Sequence, residues 1–376
     1  YGCVFNPGIN CDGTVMKTKK YASKIQRYDS SAKNEIKIGK IIQEINGFED
    51  YFSPIVKHCE IDIAKIKEDE INKCTILKKK KSKKFILMKL PFIKGEDFMD
   101  YLVNQKNSVQ LVGNIILSYN HLLRACLMLI GKSVLHYDLK GSNILFDTDR
   151  QIPLLIDFGL SVDMSITDEK QIKKIFYVYA PSYYVWPLEV HYLSYLIHKN
   201  NEPNIDELIT IAKDYVKNNK GLQRNFSGDF LDKYEKECIK QLKKYNNIPS
   251  EKRLETIIKY WVTFDNYALS IMYLKFLKYI NIGGFTDNNF IIFFSKLLLQ
   301  NIHPDPEKRL GLIDTVHTFN TFLYQKNLNN IQTFEDLTDN FIKNREDINE
   351  KINNDKKKYL YDTKTMKILR RQSLAS

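Results

Sequence analysis

Two short polar segments carry the residue types that a metal–phosphate site needs. The first, His136-Tyr137-Asp138-Leu139-Lys140-Gly141-Ser142-Asn143, follows a long apolar run and places an acid, a base and an amide within six residues. The second, Asp157-Phe158-Gly159, begins nineteen residues after Asp138 and follows the apolar run PLLI. Mg²⁺ prefers a few hard oxygen ligands, completed by phosphate and water. Such a sparse set suffices for phosphoryl transfer, which depends mainly on positioning and charge neutralisation.

The elements around these segments predict a small β-rich part followed by a larger helical part. YGCVF and KKYASKI are strand-like, and AKNEIKIGKIIQEI has the apolar spacing of a helix. CTIL and FILMKL flank a lysine-rich run, which predicts a hairpin with a polar tip. Helical patterns dominate from about residue 96, including residues 204–220, 229–246 and 251–280. We expect a hinge near residues 88–95, and the cleft between two such parts is a common ligand site.

The two polar segments resemble signatures of protein kinases. HYDLKGSN is similar to the catalytic-loop pattern His-Arg-Asp-Leu-x-x-x-Asn, and Asp-Phe-Gly is the metal-binding triplet of that family. Tyr1-Gly2-Cys3-Val4 is similar to the end of the glycine-rich loop, whose earlier glycines are absent. The resemblance implies an α+β, bilobal, protein-kinase-like fold with a small β-rich N-lobe and a large helical C-lobe. We expect the N-lobe to lack its first strand.

The resemblance extends over about residues 1–325 and suggests how the chain is divided. It implies an N-lobe over residues 1–90, a C-lobe over 91–325 and a charged C-terminal extension over 326–376. A helical insertion at about residues 190–264 stands where kinases have a short connection. The combination of YGCVFNPG, SKI and YYVWPLEV resembles protein kinases of large nucleocytoplasmic DNA viruses.

The resemblance also implies catalytic and metal-binding roles for individual residues. Asp138 would orient the substrate hydroxyl and accept its proton, and Lys140 would stabilise the γ-phosphoryl group during transfer. Lys140 stands two residues after Asp138, which is the arrangement typical of serine/threonine kinases. Asn143 and Asp157 would hold Mg²⁺. The implied substrates are therefore ATP and proteins that carry serine or threonine.

The nucleotide contacts implied by the resemblance lie mostly in the N-lobe. Ala22-Ser23-Lys24 is similar to Val-Ala-Ile-Lys, so Lys24 would contact the α- and β-phosphates. Its carboxylate partner is Glu35 or Glu44, and we favour Glu35 because it opens the isoleucine-rich helix. FILMKLPFIKGEDF resembles the strand and hinge that hold adenine; since Pro91 has no N–H, Phe92 or a neighbour would donate that bond. The predicted cofactor-binding residues are Gly2, Val4, Lys24, Glu35, Met88 and Lys89.

Three further positions predict how the catalytic loop is supported and regulated. Glu189, in YVWPLE, is expected to pair with Arg309, and Asp265 is expected to brace the backbone of the catalytic loop. Tyr137 replaces the arginine that usually binds a phosphate on the activation loop. The sequence therefore predicts activity that does not depend on phosphorylation of Ser161, Ser165 or Thr167. In the C-terminal tail, Arg370-Arg371-Gln372-Ser373 is similar to a basophilic phosphorylation site.

The composition limits the class of protein. The chain has 376 residues, 43% hydrophobic content and a net charge of +12, which allows a large core and fits a protein that handles phosphates. Its lysines are dispersed, which argues against nucleic acid as a partner.

No apolar run is long enough to span a bilayer, and no secretory signal is visible. The six cysteines form no C-x-x-C pair, which argues against a zinc site. Several lie in apolar runs, as Cys126 does in LLRACLMLI, so we expect these to be buried thiols. We expect a reducing compartment and a cytoplasmic location, in the host or the virion if the protein is viral. The oligomeric state stays open.

Three alternatives to an active protein kinase remain at this point. A pseudokinase would retain nucleotide binding without turnover, and Pro91, Tyr137 and the incomplete glycine-rich loop favour it. A small-molecule kinase of related fold usually lacks the Pro-x-Glu segment and the distal arginine that Glu189 and Arg309 supply here. A nucleic-acid-binding protein would require clustered arginine and stacking aromatic residues on one face.

Overall fold

A computed structural model describes residues 2–78, 84–104, 108–165, 168–223, 225–280, 289–325 and 350, and the structural statements below concern these residues. The predicted extension over 326–376, with its candidate phosphorylation site at Ser373, lies outside them except for residue 350. The lysine-rich residues 79–83 and Thr167 also lie outside.

The N-terminal part is built on a four-stranded antiparallel sheet. Its spatial order is β1 (Cys3–Phe5), β2 (Tyr21–Arg27), β4 (Phe85–Pro91) and β3 (Lys57–Ile61). The β2–β4 pairing sets Lys24 opposite Met88. Since alternate residues of a strand point to opposite faces, Lys24 and the buried Ile25 are directed to different sides of the sheet.

Helix α1 (Ser30–Gln43) packs beside this sheet and carries Glu35. It begins because the Asp29 side chain accepts a hydrogen bond from the Ala32 amide at 3.1 Å, which satisfies one of the unpaired donors of the first turn. Ala32, Ile36 and other apolar residues of its buried face lie against the sheet. The helix therefore reaches the sheet through a continuous apolar contact, which fixes the position of Glu35 relative to β2.

The hairpin predicted across the lysine-rich run is wrong. Thr75–Lys78 forms a short helix, α3, which follows α2 (Glu68–Asn72), and only the second half of the predicted hairpin, β4, is a strand. Leu77 is fully buried in the cluster that contains Phe85 and Leu87. Burial of an apolar side chain fits a helix as well as a strand, so a four-residue apolar run cannot distinguish the two.

Four of the six cysteines form disulfides, contrary to the expectation of buried thiols. Cys3 is bonded to Cys74, and Cys11 is bonded to Cys59. The first bond ties β1 to the connection between α2 and α3, and the second ties the segment after β1 to β3, at the opposite edge of the sheet. Cys126 and Cys238 are buried and free, as expected. Disulfides persist in oxidising environments, and the compartment of this protein stays a prediction.

Two small antiparallel pairings bring the polar segments of the sequence together. β6 (Val134–Leu135) pairs with β9 (Val162–Asp163), and β7 (Ile144–Asp147) pairs with β8 (Ile152–Leu155) and with β5 (Gly95–Asp97). The loop over residues 136–143 joins β6 to β7, and the loop over 156–161 joins β8 to β9. The pairing of both flanking strands therefore forces the two loops to lie side by side.

The C-terminal part is helical. Helix α5 (Ser108–Gly131) is buried at its centre, around Tyr119. The Tyr119 ring makes edge contacts with the rings of Tyr273 at 5.0 Å, Phe294 at 4.9 Å and Phe319 at 5.0 Å. Edge-to-face geometry of this kind is favoured by the quadrupoles of aromatic rings. These four rings join four helices into one core. The helices of this part are α4 (Phe98–Val103), α5 (Ser108–Gly131), α6 (Glu169–Ile175), α7 (Leu188–His198), α8 (Ile205–Asn218), α9 (Gly228–Asn246), α10 (Ser250–Ile258), α11 (Phe264–Ile280), α12 (Asn289–Asn301) and α13 (Leu312–Gln325).

The stretch predicted as an insertion forms helices that pack on α11. Helix α8 begins with a capping box, in which Asn204 and Glu207 satisfy each other's backbone amides. Its Tyr215 contacts Tyr267 of α11 through their hydroxyl groups at 2.6 Å, and Asn219 donates to the same hydroxyl at 3.0 Å. These helices are therefore joined to the central core. None of the helices in the described ranges is both long and apolar enough to cross a bilayer.

Candidate active site

The loop over residues 136–143 is held by a buried carboxylate from α11. The amides of His136 and Tyr137 donate to the two oxygens of Asp265 at 2.7 Å and 3.1 Å. Burial raises the pKa of Asp265, and the contacts with His136 and Tyr137 oppose that rise. Tyr137 has a backbone φ of 66°, in the left-handed region that residues other than glycine rarely adopt. Contacts with its surroundings must hold the residue in this conformation. The bracing role predicted for Asp265 is confirmed.

The polar side chains of this loop converge on Asp138, which is fully buried. Lys140 donates from Nζ to Oδ1 of Asp138 at 2.8 Å. Asn143 donates from Nδ2 to the backbone oxygen of Asp138 at 2.8 Å and to its Oδ2 at 2.9 Å. An ionised carboxylate is only an acceptor, so these donors fix its orientation. The arrangement leaves Asp138 suited to accept a proton from a nearby hydroxyl.

Lys24 links the small sheet to the second polar segment. Its Nζ lies 2.6 Å from Oε1 and 2.9 Å from Oε2 of Glu35, and 3.4 Å from Oδ1 of Asp157. Burial disfavours the charged ammonium, but the carboxylates of Asp157 and Glu35 outweigh it and raise the pKa of Lys24 above its ordinary value. Glu44, the rival candidate, instead lies 3.4 Å from Lys132. Of the two candidates, Glu35 is therefore the carboxylate that meets Lys24.

Asp157 lies directly after β8, at the point where the backbone turns. Its φ of 58° is left-handed, and residues 158–160 then form a short 3₁₀ turn beside α1. Its side chain is 27% exposed, whereas that of Glu35 is 3% exposed. Asp157 is therefore the more accessible of the two carboxylates near Lys24, as a metal ligand has to be.

A cavity of about 510 Å³ lies between the N-terminal sheet and the helical part of the chain. Its wall includes Lys24, Glu35, Lys140, Asn143 and Asp157. The predicted Gly2 and Val4 also line it, from the sheet side. A Cβ on Gly2 would lie 2.9 Å from the Ile25 backbone oxygen, so only glycine fits there without displacement. The side chains predicted to hold a nucleotide phosphate thus face one common space.

Part of the predicted hinge over residues 88–95 lines this cavity, but the predicted Met88 and Lys89 do not. On the hinge side, the cavity is lined by residues 90–93, Leu90-Pro91-Phe92-Ile93. Met88 is buried in the apolar contact with α1, and the Lys89 Nζ lies 3.3 Å from Oδ1 of Asn10. The strand continues to Pro91, which shifts the open hinge past both residues.

The comparison with known families agrees with this geometry. The model of the protein kinase domain matches residues 12–187. That stretch is similar to a protein kinase domain. The match includes Lys24, Asp138 and Asp157, and the predicted α+β fold with a β-sheet N-terminal part and a helical C-terminal part is confirmed. No curated protein is significantly similar to the chain.

The donor set of this cavity fits Mg²⁺ bound together with a nucleotide. Asn143 and Asp157 both line the cavity and offer an amide oxygen and a carboxylate. In the described part of the chain, His, Cys, Asp and Glu side chains form no cluster of three or more that could hold a metal ion alone. Mg²⁺ in phosphate-transfer sites is typically held by one or two carboxylates together with substrate phosphates. The residues therefore suit an ion that a nucleotide brings with it.

The segment before α7 covers the catalytic loop with aromatic side chains. Trp186 donates from Nε1 to the backbone oxygen of Tyr137 at 2.8 Å, and their rings stack at 4.7 Å. Phe176 meets the other side of Tyr137 edge-on at 5.7 Å. Tyr137, which replaces the arginine of the family pattern, is thus packed between aromatic rings. The sequence identified the missing arginine but not the rings that replace it.

One contact of this segment was not predicted. The hydroxyl of Tyr183 donates to Oδ1 of Asp138 and accepts from Lys140 Nζ at 3.1 Å. Tyr183 is adjacent to Tyr184 in the sequence, and no local pattern distinguishes which of the two reaches the catalytic loop. Only the path of the backbone decides it.

The pair predicted between Glu189 and Arg309 is confirmed. Arg309 donates from Nη2 to Oε2 of Glu189 at 2.9 Å, and both side chains are fully buried. Burial raises the pKa of Glu189, and the charge of Arg309 opposes that rise. The pair ties the start of α7 to the segment before α13.

Proposed function

We propose that this chain is a serine/threonine protein kinase that transfers the γ-phosphoryl group of ATP to a protein hydroxyl. The observation that carries the proposal is the convergence of the Lys24–Glu35 pair, Lys140, Asn143 and Asp157 on one cavity. Asp138 is buried directly behind this wall, bonded to both Lys140 and Asn143. Phosphoryl transfer needs little more than positioned charges and an oriented acceptor, and this set supplies both.

Each residue has a role that its contacts support. Asp138 orients the acceptor hydroxyl and takes its proton, and Lys140, 2.8 Å away, balances charge on the transferring group. Lys24 holds the α- and β-phosphates, with Glu35 fixing its position. Asn143 and Asp157 hold Mg²⁺, which neutralises phosphate charge when it is bound. The preference for serine and threonine rests on Lys140, two residues after Asp138. The likeness to kinases of large DNA viruses stays a prediction from motifs.

The hinge provides a backbone donor for adenine at Ile93. Pro91 has no N–H, and the Phe92 amide donates to the Lys20 oxygen at 3.0 Å. Ile93 is the next residue and lines the cavity. Of the neighbours that the sequence left open, Ile93 is therefore the donor that we propose.

The test is phosphate transfer from labelled ATP to generic protein substrates, with Mg²⁺ present or chelated. We expect Asp157→Ala to abolish the Mg²⁺-dependent transfer, because the variant removes the accessible carboxylate of the site. Asp149→Ala is the matched control, since Asp149 is a surface carboxylate, 62% exposed, that pairs with Lys94. Equal loss in both variants, or full transfer by Asp157→Ala, would contradict the metal role. Nucleotide binding without transfer in the wild type would favour a pseudokinase.

Activity is expected to persist without phosphate on the activation loop. Changing Ser165 and Thr167 together to Ala should leave turnover at the wild-type level, because the Tyr137–Trp186 stack replaces an arginine–phosphate contact. Ser161 is omitted from this variant since its buried hydroxyl donates to the His136 oxygen at 3.1 Å and has a structural role. Steady-state kinetics before and after phosphatase treatment measure the effect. A large fall in turnover would show that a phosphate is required after all.

A further inference from the structure

We infer that Gln26 binds the γ-phosphate of the nucleotide, at the end of the cavity beside the start of α1. The inference rests on the proposed function, which brings ATP to this cavity. Gln26 lines the cavity but is only 3% exposed, and within the described ranges its Nε2 has no hydrogen-bond partner. A buried amide nitrogen without a partner costs stability, and a ligand oxygen that accepts its hydrogen bond removes that cost.

Three residues of β2 face the cavity in a fixed order. Ala22, Lys24 and Gln26 all line it, since alternate residues of a strand share one face. Ala22 lies opposite Leu90 at the hinge, and Gln26 lies opposite Ile86, further from the hinge. Each step of two residues along a strand covers roughly 7 Å. A nucleotide with its base at the hinge and its α- and β-phosphates at Lys24 therefore directs its γ-phosphate toward Gln26.

The backbone of Gly2 passes close to this end of β2. A Cβ on Gly2 would lie 3.0 Å from Cγ of Lys24 and 3.1 Å from Cβ of Gln26, so a side chain there would crowd the stems of both. Half a turn of the terminal torsion of Gln26 exchanges its amide nitrogen and oxygen. The amide can therefore present its donor to the cavity without a change in the rest of the side chain.

The start of helix α1 adds a second feature that suits an anion. Ser31, in the first turn of α1, lines the same cavity and offers a hydroxyl group. Asp29 caps this end of the helix, and the first turn itself has no acidic residue. The partial positive charge of a helix N-terminus favours phosphate groups. Glu35, one turn further along α1, is neutralised by Lys24 at 2.6 Å.

Binding by Gln26 is compatible with the role proposed for Lys140. Both residues line the cavity, Gln26 from the sheet and Lys140 from the helical part. The γ-phosphate spreads its charge over three oxygens, so the two residues can bind different ones. Gln26 thus holds the group from the sheet side, while Lys140 balances charge beside Asp138.

Gln26→Met is the test variant, because methionine has a similar length and shape but no amide. We expect it to lower the affinity for ATP by about 10- to 100-fold, the range for a hydrogen bond to a charged group. ADP and AMP lack the γ-phosphate, so their affinities should not change. Ser31→Ala should show the same selectivity with a smaller loss, since a neighbouring hydroxyl is removed and the amide stays.

The stability of the unliganded protein separates a binding role from a structural one. Replacing a buried donor that has no partner by an apolar group of the same shape is nearly neutral or stabilising. We therefore expect unliganded Gln26→Met to melt at or above the wild-type temperature. Gln241→Met is the matched control: Gln241 is 4% exposed but belongs to α9, outside the described wall of the cavity. Its nucleotide affinities should equal those of the wild type.

The experiment is isothermal titration calorimetry of the full chain and its variants with Mg²⁺ and, in turn, ATP, ADP, AMP and inorganic phosphate. An unchanged ATP affinity in Gln26→Met would overturn the inference. Equal losses for ATP and AMP, or a lower melting temperature of unliganded Gln26→Met, would assign Gln26 a structural role and overturn it as well. Loss of inorganic phosphate binding alone would show a site for free phosphate and overturn the assignment to the nucleotide.

These failures are distinct from a failure of the proposed function. Each of them leaves that function intact, provided that the wild type binds ATP and transfers its phosphate. A wild type that binds no nucleotide would overturn the proposed function and this inference together.

Discussion

Replacing Asp138 by Asn will lower the rate of phosphoryl transfer by about 10²–10⁴-fold, the range that a positioned general base contributes. Asparagine has nearly the same shape, and its oxygen can still accept a bond from Lys140. It cannot take a proton from the acceptor hydroxyl, so the loss falls on the chemical step. Turnover with a protein substrate, measured together with nucleotide affinity, separates this step from binding.

The control for this variant is Asp147→Asn. Asp147 belongs to β7, a few residues beyond the catalytic loop, and pairs with Arg150 at 2.8 Å, away from the cavity wall. We expect its turnover and nucleotide affinity to match the wild type. Turnover by Asp138→Asn near the wild-type level would refute the role of Asp138. A parallel loss of nucleotide affinity would indicate a collapsed site rather than a missing base.

The grouping of Asp138, Lys140 and Asn143 could be predicted from the sequence because it is local. Asp138, Lys140 and Asn143 fall within one short loop, and the flanking apolar runs fold as the paired strands β6 and β7. Spacing along the chain therefore limits their spacing in the structure. The same holds for Asp157, which follows β8, the direct partner of β7.

Contacts between distant segments were predictable only where a motif specified them. Glu189 and Arg309 were found because each lies in a recognisable pattern. The disulfides were missed because no spacing rule links Cys3 to Cys74 or Cys11 to Cys59, which are 71 and 48 residues apart.

The misplaced Met88 and Lys89 and the missed contact of Tyr183 have a different physical origin. A strand pattern predicts that β4 exists, but its end depends on pairing with β2, which continues to Pro91 opposite Tyr21. A boundary two residues later exchanges Met88 and Lys89 for Leu90 and its successors in the cavity wall. Tyr183 reaches Asp138 through the tertiary path of the segment before α7, a path that the local sequence does not encode.

Removing the cation of the buried pair will destabilise the fold most among the single changes considered. In Arg309→Met, Glu189 stays fully buried without its partner, and breaking such a pair costs about 3–5 kcal/mol of unfolding free energy. Arg309 also donates to the His303 oxygen at 2.7 Å and lies over the Tyr267 ring at 5.5 Å, contacts that methionine cannot restore. Urea denaturation at neutral pH measures the loss.

A second variant separates the unpaired charge from the lost contacts. Glu189→Gln combined with Arg309→Met leaves no buried charge, so we expect it to be more stable than Arg309→Met alone. The matched control is Arg253→Met: its guanidinium is also buried, but its carboxylate partner Glu202 is 58% exposed and can return to water. A loss in Arg253→Met as large as that in Arg309→Met would assign the effect to packing and hydrogen bonds.

The pH dependence of Arg309→Met gives the most direct evidence for the unpaired carboxylate. Burial already raises the pKa of Glu189, and removing Arg309 removes the charge that opposes this rise. When the pKa of a carboxyl group is raised in the folded state, the folded chain binds the proton more tightly than the unfolded chain does. Lowering the pH therefore favours folding. The loss of unfolding free energy in Arg309→Met relative to the wild type should therefore be largest at high pH. It should shrink as the pH falls toward 4.5, the ordinary pKa of glutamate. A deficit that stays constant with pH would mean that Glu189 finds another partner, and the pair would then contribute little beyond its packing.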